Sequence, residues 1–107
     1  MKIVNADIFR TNVRKKLNKI IRRKKLSLNL EKGIFNYAIQ TAHLRNIVRK
    51  WDNKAFVMIY VDKFKGLLLN LNAKSTVKNK ELLKRLKNGE FKAHELAFMT
   101  HQELYPE

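Results

Sequence analysis

Apolar residues at Phe9, Val13, Leu17, Ile20 and Ile21 recur every three or four positions, the stripe of an amphipathic helix whose other faces carry basic side chains. Asn5 stands where a cap is needed, and an Asn cap contributes about 1 kcal/mol by accepting from an otherwise orphan backbone N–H. A second stripe at Leu30, Ile34, Phe35, Ala38, Ile39 and Ala42 predicts a second helix, with Ser27 or Asn29 as its cap and Glu31 placed to favour the helix dipole. Gly33 lies inside that stripe at a cost of roughly 1 kcal/mol relative to Ala, so it reads as a mark of close helix packing. The segment 43–53, rich in Asn and charge, is the first connection. Asn53 then caps a third helix with the stripe Phe56, Ile59, Tyr60, Phe64, Leu67, Leu68 and Leu71.

Residues 70–78 read as a turn region. Asn79 caps a short helix carrying Leu82, Leu83 and Leu86, and Gly89 ends it in the position that calls for a left-handed residue. A further short helix is expected from about Lys92 to Phe98. Thr100-His101-Gln102-Glu103 has the spacing of a capping box, which opens a helix, so the native chain is expected to continue past Glu107. The three long stripes predict an all-α fold, a three-helix bundle with additional short C-terminal helices, formed as one domain over residues 1–107. No heptad is sustained long enough for a coiled coil and no internal repeat occurs.

Composition narrows the chemistry. The 107 residues are 45% hydrophobic, enough to bury a core, while 3 Gly and 1 Pro leave little turn chemistry for a sandwich or barrel and no glycine-rich phosphate loop. The absence of cysteine removes a disulfide framework, a thiol nucleophile and a cysteine-ligated zinc. No apolar run approaches the roughly 20 residues that cross a bilayer, so no membrane partner is expected and the chain is read as intracellular.

Charge changes the picture more. The net charge is +15, with 23 basic against 5 acidic residues in 1–89 and 1 against 4 in 90–107. The sharpest concentration runs from Arg10 to Lys25 without an acid, and such a field steers a domain toward polyanions or an acidic protein surface. Arg14, Lys15, Lys19, Arg22, Arg23, Lys24 and Lys25 are the candidate contacts to DNA or RNA; the plainer alternative is a solvated helix face. Arg22-Arg23-Lys24-Lys25 is also compatible with a nuclear-import signal.

Catalytic chemistry finds no foothold. His43, His94 and His101 have no paired ligand at helical or finger spacing, Asp52 and Asp62 lie ten residues apart in different settings, and Ser27 and Ser75 lack an elbow or partner pattern. No catalytic residue, metal site or cofactor is therefore assigned to this chain, which reads as a binding module rather than an enzyme. Trp51, beside Arg49, Lys50 and Asp52, is placed either to stack on a base or an arginine or, more commonly for a lone Trp at a helix junction, to plug the core. Phe9, Phe35, Phe56, Tyr60 and Phe64 fall on the apolar stripes and read as core first.

The order of these words resembles a family. Val13-Arg14-Lys15-Lys16-Leu17 is similar to the first helix of the central domain of transcription elongation factor S-II, and Leu28-Asn29-Leu30-Glu31-Lys32-Gly33-Ile34-Phe35 to its second, where an acid precedes a small residue, Ile and an aromatic. Tyr60-Val61-Asp62-Lys63-Phe64-Lys65, Asn70-Leu71, Asn79-Lys80-Glu81-Leu82 and the closing Gly89 follow the family's later sequence. Leu96-Ala97-Phe98-Met99-Thr100-His101-Gln102-Glu103-Leu104 matches its Met-Thr-x-x-Glu-Met close. The likeness runs from about Asp7 to Pro106.

The resemblance implies a three-helix bundle that docks as a monomer on a multisubunit DNA-directed RNA polymerase, with polymerase contacts at Lys63, Lys65 and Lys74. It implies an accessory factor that stimulates the polymerase's own cleavage of a backtracked transcript. Family members do this through a C-terminal zinc ribbon with four cysteines and an acidic hairpin; zinc is thus expected in a ribbon that these residues lack. The family's Asn-Pro is Asn79-Lys80 here, and lysines replace the frequent arginines of the third helix, with loss of bidentate geometry. The start at Met1 is taken to leave no room for the family's N-terminal helical module. Together with Lys50-Trp51-Asp52-Asn53, that start resembles versions encoded by large DNA viruses, which would place the protein in a cytoplasmic viral factory or virion rather than the nucleus. A stand-alone basic helical domain that binds nucleic acid is the alternative expectation, and a structural interaction domain with neither target is a third.

Overall fold

A computed structural model describes residues 5–72 and 80–99 of the chain. The described residues contain no strand: they form α1 (Ala6–Ile21), α2 (Lys24–Leu44), α3 (Lys54–Leu71), α4 (Lys80–Lys87) and a short 3-10 helix, η1 (Ala93–Phe98). The fold is the expected three-helix bundle with short C-terminal helices. Asn5 caps α1 by accepting from the Ile8 N–H (3.1 Å), and Asn53 caps α3 by accepting from the Ala55 N–H (2.9 Å).

The start of α2 differs from expectation. Neither Ser27 nor Asn29 caps it; α2 begins at Lys24, only two residues after α1, with Arg23 at the cap position and no side-chain cap bond. The reversal is made by Arg22, held in the left-handed region (φ 58°) while its N–H closes on Asn18 O (2.8 Å). Ser27 is instead buried in the joint, its Oγ within reach of Asn18 Oδ1 (3.2 Å) and Arg23 O (3.0 Å). The helix pattern extended further back than the apolar stripe because lysines supply helical propensity without marking a face.

Two helix ends follow one rule. At the end of α2, Asn46 takes φ 55°, Ile47 N–H reaches Ala42 O (2.8 Å) and Asn46 N–H reaches His43 O (3.3 Å). At the end of α4, Gly89 takes φ 77°, Glu90 N–H reaches Arg85 O and Gly89 N–H reaches Leu86 O, each at 3.2 Å. Both are Schellman closures with a left-handed Asn or Gly, and Gly89 ends its helix as its position in the sequence predicts. Of the expected turn region 70–78, the first two residues instead complete α3, which runs to Leu71; positions 73–78, the Asn79 cap and the Thr100 box lie outside the described residues.

The helix α2 is the centre of the molecule, packed against α1, α3 and η1, with α4 against α3. Val13, Leu17 and Ile21 of α1, Leu30, Ile34, Ala38 and Ala42 of α2, and Phe56, Ile59, Tyr60, Phe64, Leu67 and Leu71 of α3 make one core, which Leu82, Leu86, Leu96 and Ala97 extend. The contact of η1 with α2 depends on Gly33. A Cβ there would overlap the His94 carbonyl oxygen and lie 2.8 Å from its Cα. The glycine that weakens α2 as a helix is what lets a second backbone lie directly on it.

Gly33→Ala is therefore expected to lower stability by about 1–3 kcal/mol through overpacking. Gly66→Ala, on α3 with nothing within 4 Å of the added carbon, is expected to raise it by about 0.5–1 kcal/mol. Urea titration of the two variants checks the pair; equal shifts would mean that the η1 contact is not tight.

Candidate functional site

Glu31 is not at the dipole-favoured start of α2 but in its interior, with its side chain fully buried. Three side chains surround it. Arg10 grips it with two bonds, Nε to Oε2 at 2.7 Å and Nη2 to Oε1 at 3.0 Å. Arg14, one turn along α1, adds Nε and Nη2 to Oε1 at 2.8 and 2.7 Å, and the Tyr60 hydroxyl of α3 donates to Oε2 at 2.8 Å. One carboxylate thus ties the three long helices together. Burial, then the charge and hydrogen bond of Glu31, push the Tyr60 hydroxyl well above its ordinary pKa. Burial also opposes the Arg10 charge, but the hydrogen bond and charge of Glu31 outweigh it and hold the guanidinium above its usual value.

An aromatic layer covers this knot. The Arg10 guanidinium lies 4.0 Å from the centre of the Phe35 ring, which stacks in turn on Trp51 at 5.9 Å with planes 10° apart. Trp51 also meets Phe9, Phe56 and Tyr60 edge-on, with ring centres 5.2–5.8 Å apart. Of the two readings of Trp51, the plug is the one observed. It closes the end of the bundle where the α2–α3 connection crosses it.

The knot is closed chemistry. Every buried side-chain polar atom among the described residues has a partner, and no group of His, Cys, Asp or Glu among them is able to hold a metal ion. Lys63 and Lys65, two positions apart on α3, leave the helix about 200° apart because each residue turns it by about 100°. Lys63 faces α2, its Nζ 4.1 Å from the Tyr37 ring centre, on a cleft of about 310 Å³ shared with Thr41, Arg45 and Asp62. Lys65 faces α1, on a cleft of about 200 Å³ with Phe9, Asn12, Lys16 and Phe64. They do not form one patch, and Lys74 lies outside the described residues.

The basic run is divided as well. Arg14, a candidate nucleic-acid contact, turns inward to Glu31, whereas Lys15, Lys19 and Arg22 to Lys25 are exposed. The sequence reading missed Glu31 and Arg10 as partners. A signal was there: Glu31 shares its helix face with Ile34, Phe35 and Ala38, and an acid on an apolar face needs a buried counter-charge.

The described residues thus form an all-helical module with a closed buried ion cluster and an exposed basic surface. Residues 5–107 match the family model for Transcription factor S-II (TFIIS), central domain, and the chain belongs to that family, as a transcription elongation factor domain. No curated protein and no solved structure matches it. No helix among the described residues is long and apolar enough to cross a membrane.

Glu31→Ala, which strands two guanidinium groups, is expected to cost about 3–5 kcal/mol, toward the lower figure because both arginines keep some contact with water. Tyr60→Phe is expected to cost about 1.5–3 kcal/mol at neutral pH. Its penalty should shrink as pH rises past about 10, because the unfolded wild-type tyrosine then releases its proton while the folded one retains it, and wild-type stability falls. Denaturant titrations at pH 7 and above pH 10 measure the difference; a pH-independent penalty would contradict the raised hydroxyl.

Proposed function

We propose that this domain docks, as a monomer, on a multisubunit DNA-directed RNA polymerase and anchors a C-terminal zinc ribbon that stimulates cleavage of a backtracked transcript. Membership in the S-II central-domain family carries the reading. The fold supports it by keeping Lys65 exposed and Lys63 at the rim of a cleft, while the arginines of α1 are occupied in holding the bundle together. Because the two lysines leave α3 on different sides, they make separate polymerase contacts, one beside α2 and one beside α1. The given residues contain no cysteine, so in this reading the zinc belongs to the ribbon. In this reading the domain is the anchor and the ribbon the cleavage apparatus. Its workplace is where the polymerase works, the nucleus or, for a virus-encoded factor, the cytoplasmic viral factory or virion.

Reversing Lys63 and Lys65 together to Glu is expected to weaken co-purification with the cognate polymerase at least about tenfold, the order expected for a desolvated charge contact of 1.4 kcal/mol or more. Unchanged binding would overturn the docking reading. The native protein from its source is expected to exceed the 12.7 kDa of these residues by several kilodaltons and to hold one zinc. A native mass of 12.7 kDa without zinc would remove the cleavage role.

A further inference from the structure

The tertiary structure joins the basic run of α1 and the start of α2 to the basic last turn of α4. Lys15 and Lys24 line one cleft of about 270 Å³ between α1 and α2, together with Thr11, Asn18 and Leu28. Lys19 follows Lys15 by one turn of α1, on the same face, and Arg22 stands at the cap just past the helix end. The corner between the helices adds Arg23 and Lys25, both exposed. Arg23 Nη1 donates to Lys87 O at 3.3 Å, across 64 positions of sequence, and sets the basic last turn of α4 beside the corner.

No acid occurs between Asp7 and Glu31, Glu31 is enclosed by Arg10 and Arg14, and Glu90 beyond α4 is paired with Arg85 at 3.0 Å. The arrangement also runs against a local preference. Lys24 and Lys25 occupy the first turn of α2, where the helix dipole favours acids, and that turn has none. Crowded cations lower the stability of the free domain, and a bound polyanion relieves their repulsion.

Cations spread along a stripe and a helix corner match a row of phosphates better than a single anion. Proteins that grip single strands add aromatic rings on which bases stack. Here the rings nearest α1, namely Phe9, Phe35 and Trp51, are packed against one another and against Tyr60, and the stripe and corner carry none. A duplex presents its phosphates at fixed spacing without unstacked bases, and lysine and arginine suffice for it. We infer that this corner binds the phosphate backbone of double-helical DNA, without sequence preference, through Lys15, Lys19, Arg22, Lys24, Lys25 and Lys87. The contact stands apart from the α3 lysines and does not rest on the polymerase-docking reading.

Fluorescence anisotropy of the 107-residue chain with a labelled DNA duplex over a salt series tests it. Neutralising about five phosphates predicts a log–log slope of about −4.5, at about 0.9 for each. The double substitution Lys24→Glu with Lys25→Glu should flatten the slope by about 2 and weaken binding at least about tenfold. Its melting temperature should be unchanged or higher, because acids suit the start of α2. Lys63→Glu with Lys65→Glu, the same change of net charge, should leave duplex affinity unaltered. If circular dichroism shows that the corner reversal does not fold, Lys24→Gln with Lys25→Gln provides the same comparison. Absence of duplex binding at about 0.05 M salt, equal losses from the corner and α3 reversals, or tighter binding to a single strand of the same length would each overturn the inference.

Discussion

A buried carboxylate has to be met by positive charge and hydrogen bonds, and in this domain that requirement decides how the helices sit. Glu31 is inaccessible to water, and the groups that satisfy it come from both neighbouring helices: Arg10 and Arg14 from one side, Tyr60 from the other. Apolar stripes alone tolerate sliding and rotation, since one leucine contact resembles the next. The guanidinium pair, spaced by one turn, reaches both carboxylate oxygens only in one register of α1 against α2. Such a cluster contributes little net stability over a well-packed apolar substitute; what it supplies here is the choice of one arrangement.

The aromatic layer extends that choice to the connection after α2. Arg10 lies against Phe35, Phe35 against Trp51, and Trp51 against three further rings, so the charge cluster and the end of the bundle are one packed unit. At the other side of α2, Gly33 admits the backbone of η1. The central helix is thus contacted on three sides by devices of different kinds: an ion cluster, an apolar seam and a backbone-to-backbone approach. This frame holds the helices whose outer faces carry the surface lysines.

The same cluster sorts the basic residues. Along the sequence Arg10 to Lys25 is one undivided run, but in the fold Arg10 and Arg14 are consumed internally while Lys15, Lys19 and the corner residues face water. Helical periodicity separates neighbours: Arg14 and Lys15 differ by one position and by about 100°. Lys63 and Lys65 are divided by the same geometry on α3. Function has therefore to be assigned by face and not by stretch of sequence.

The apolar periodicity, the Asn5 and Asn53 caps and the Gly89 stop were legible because each is local: a helix records its buried face, its first free N–H groups and its left-handed exit within a few residues. The order of short words was enough to indicate the family for the same reason, since those words are the helix faces and caps of its fold. The start of α2 was misplaced by the stripe because its first turn packs few apolar residues, and the role of Trp51 stayed open because a lone ring's neighbours come from distant segments. Three things were decided by tertiary structure alone. Glu31 finds its partners 17 to 29 positions away, Gly33 meets a backbone from the far end of the chain, and Arg23 joins α4 across 64 positions. Local sequence carries propensity and periodicity, whereas the pairing of a buried charge and the merging of two surface runs depend on which helix faces which, and only the packed bundle sets that.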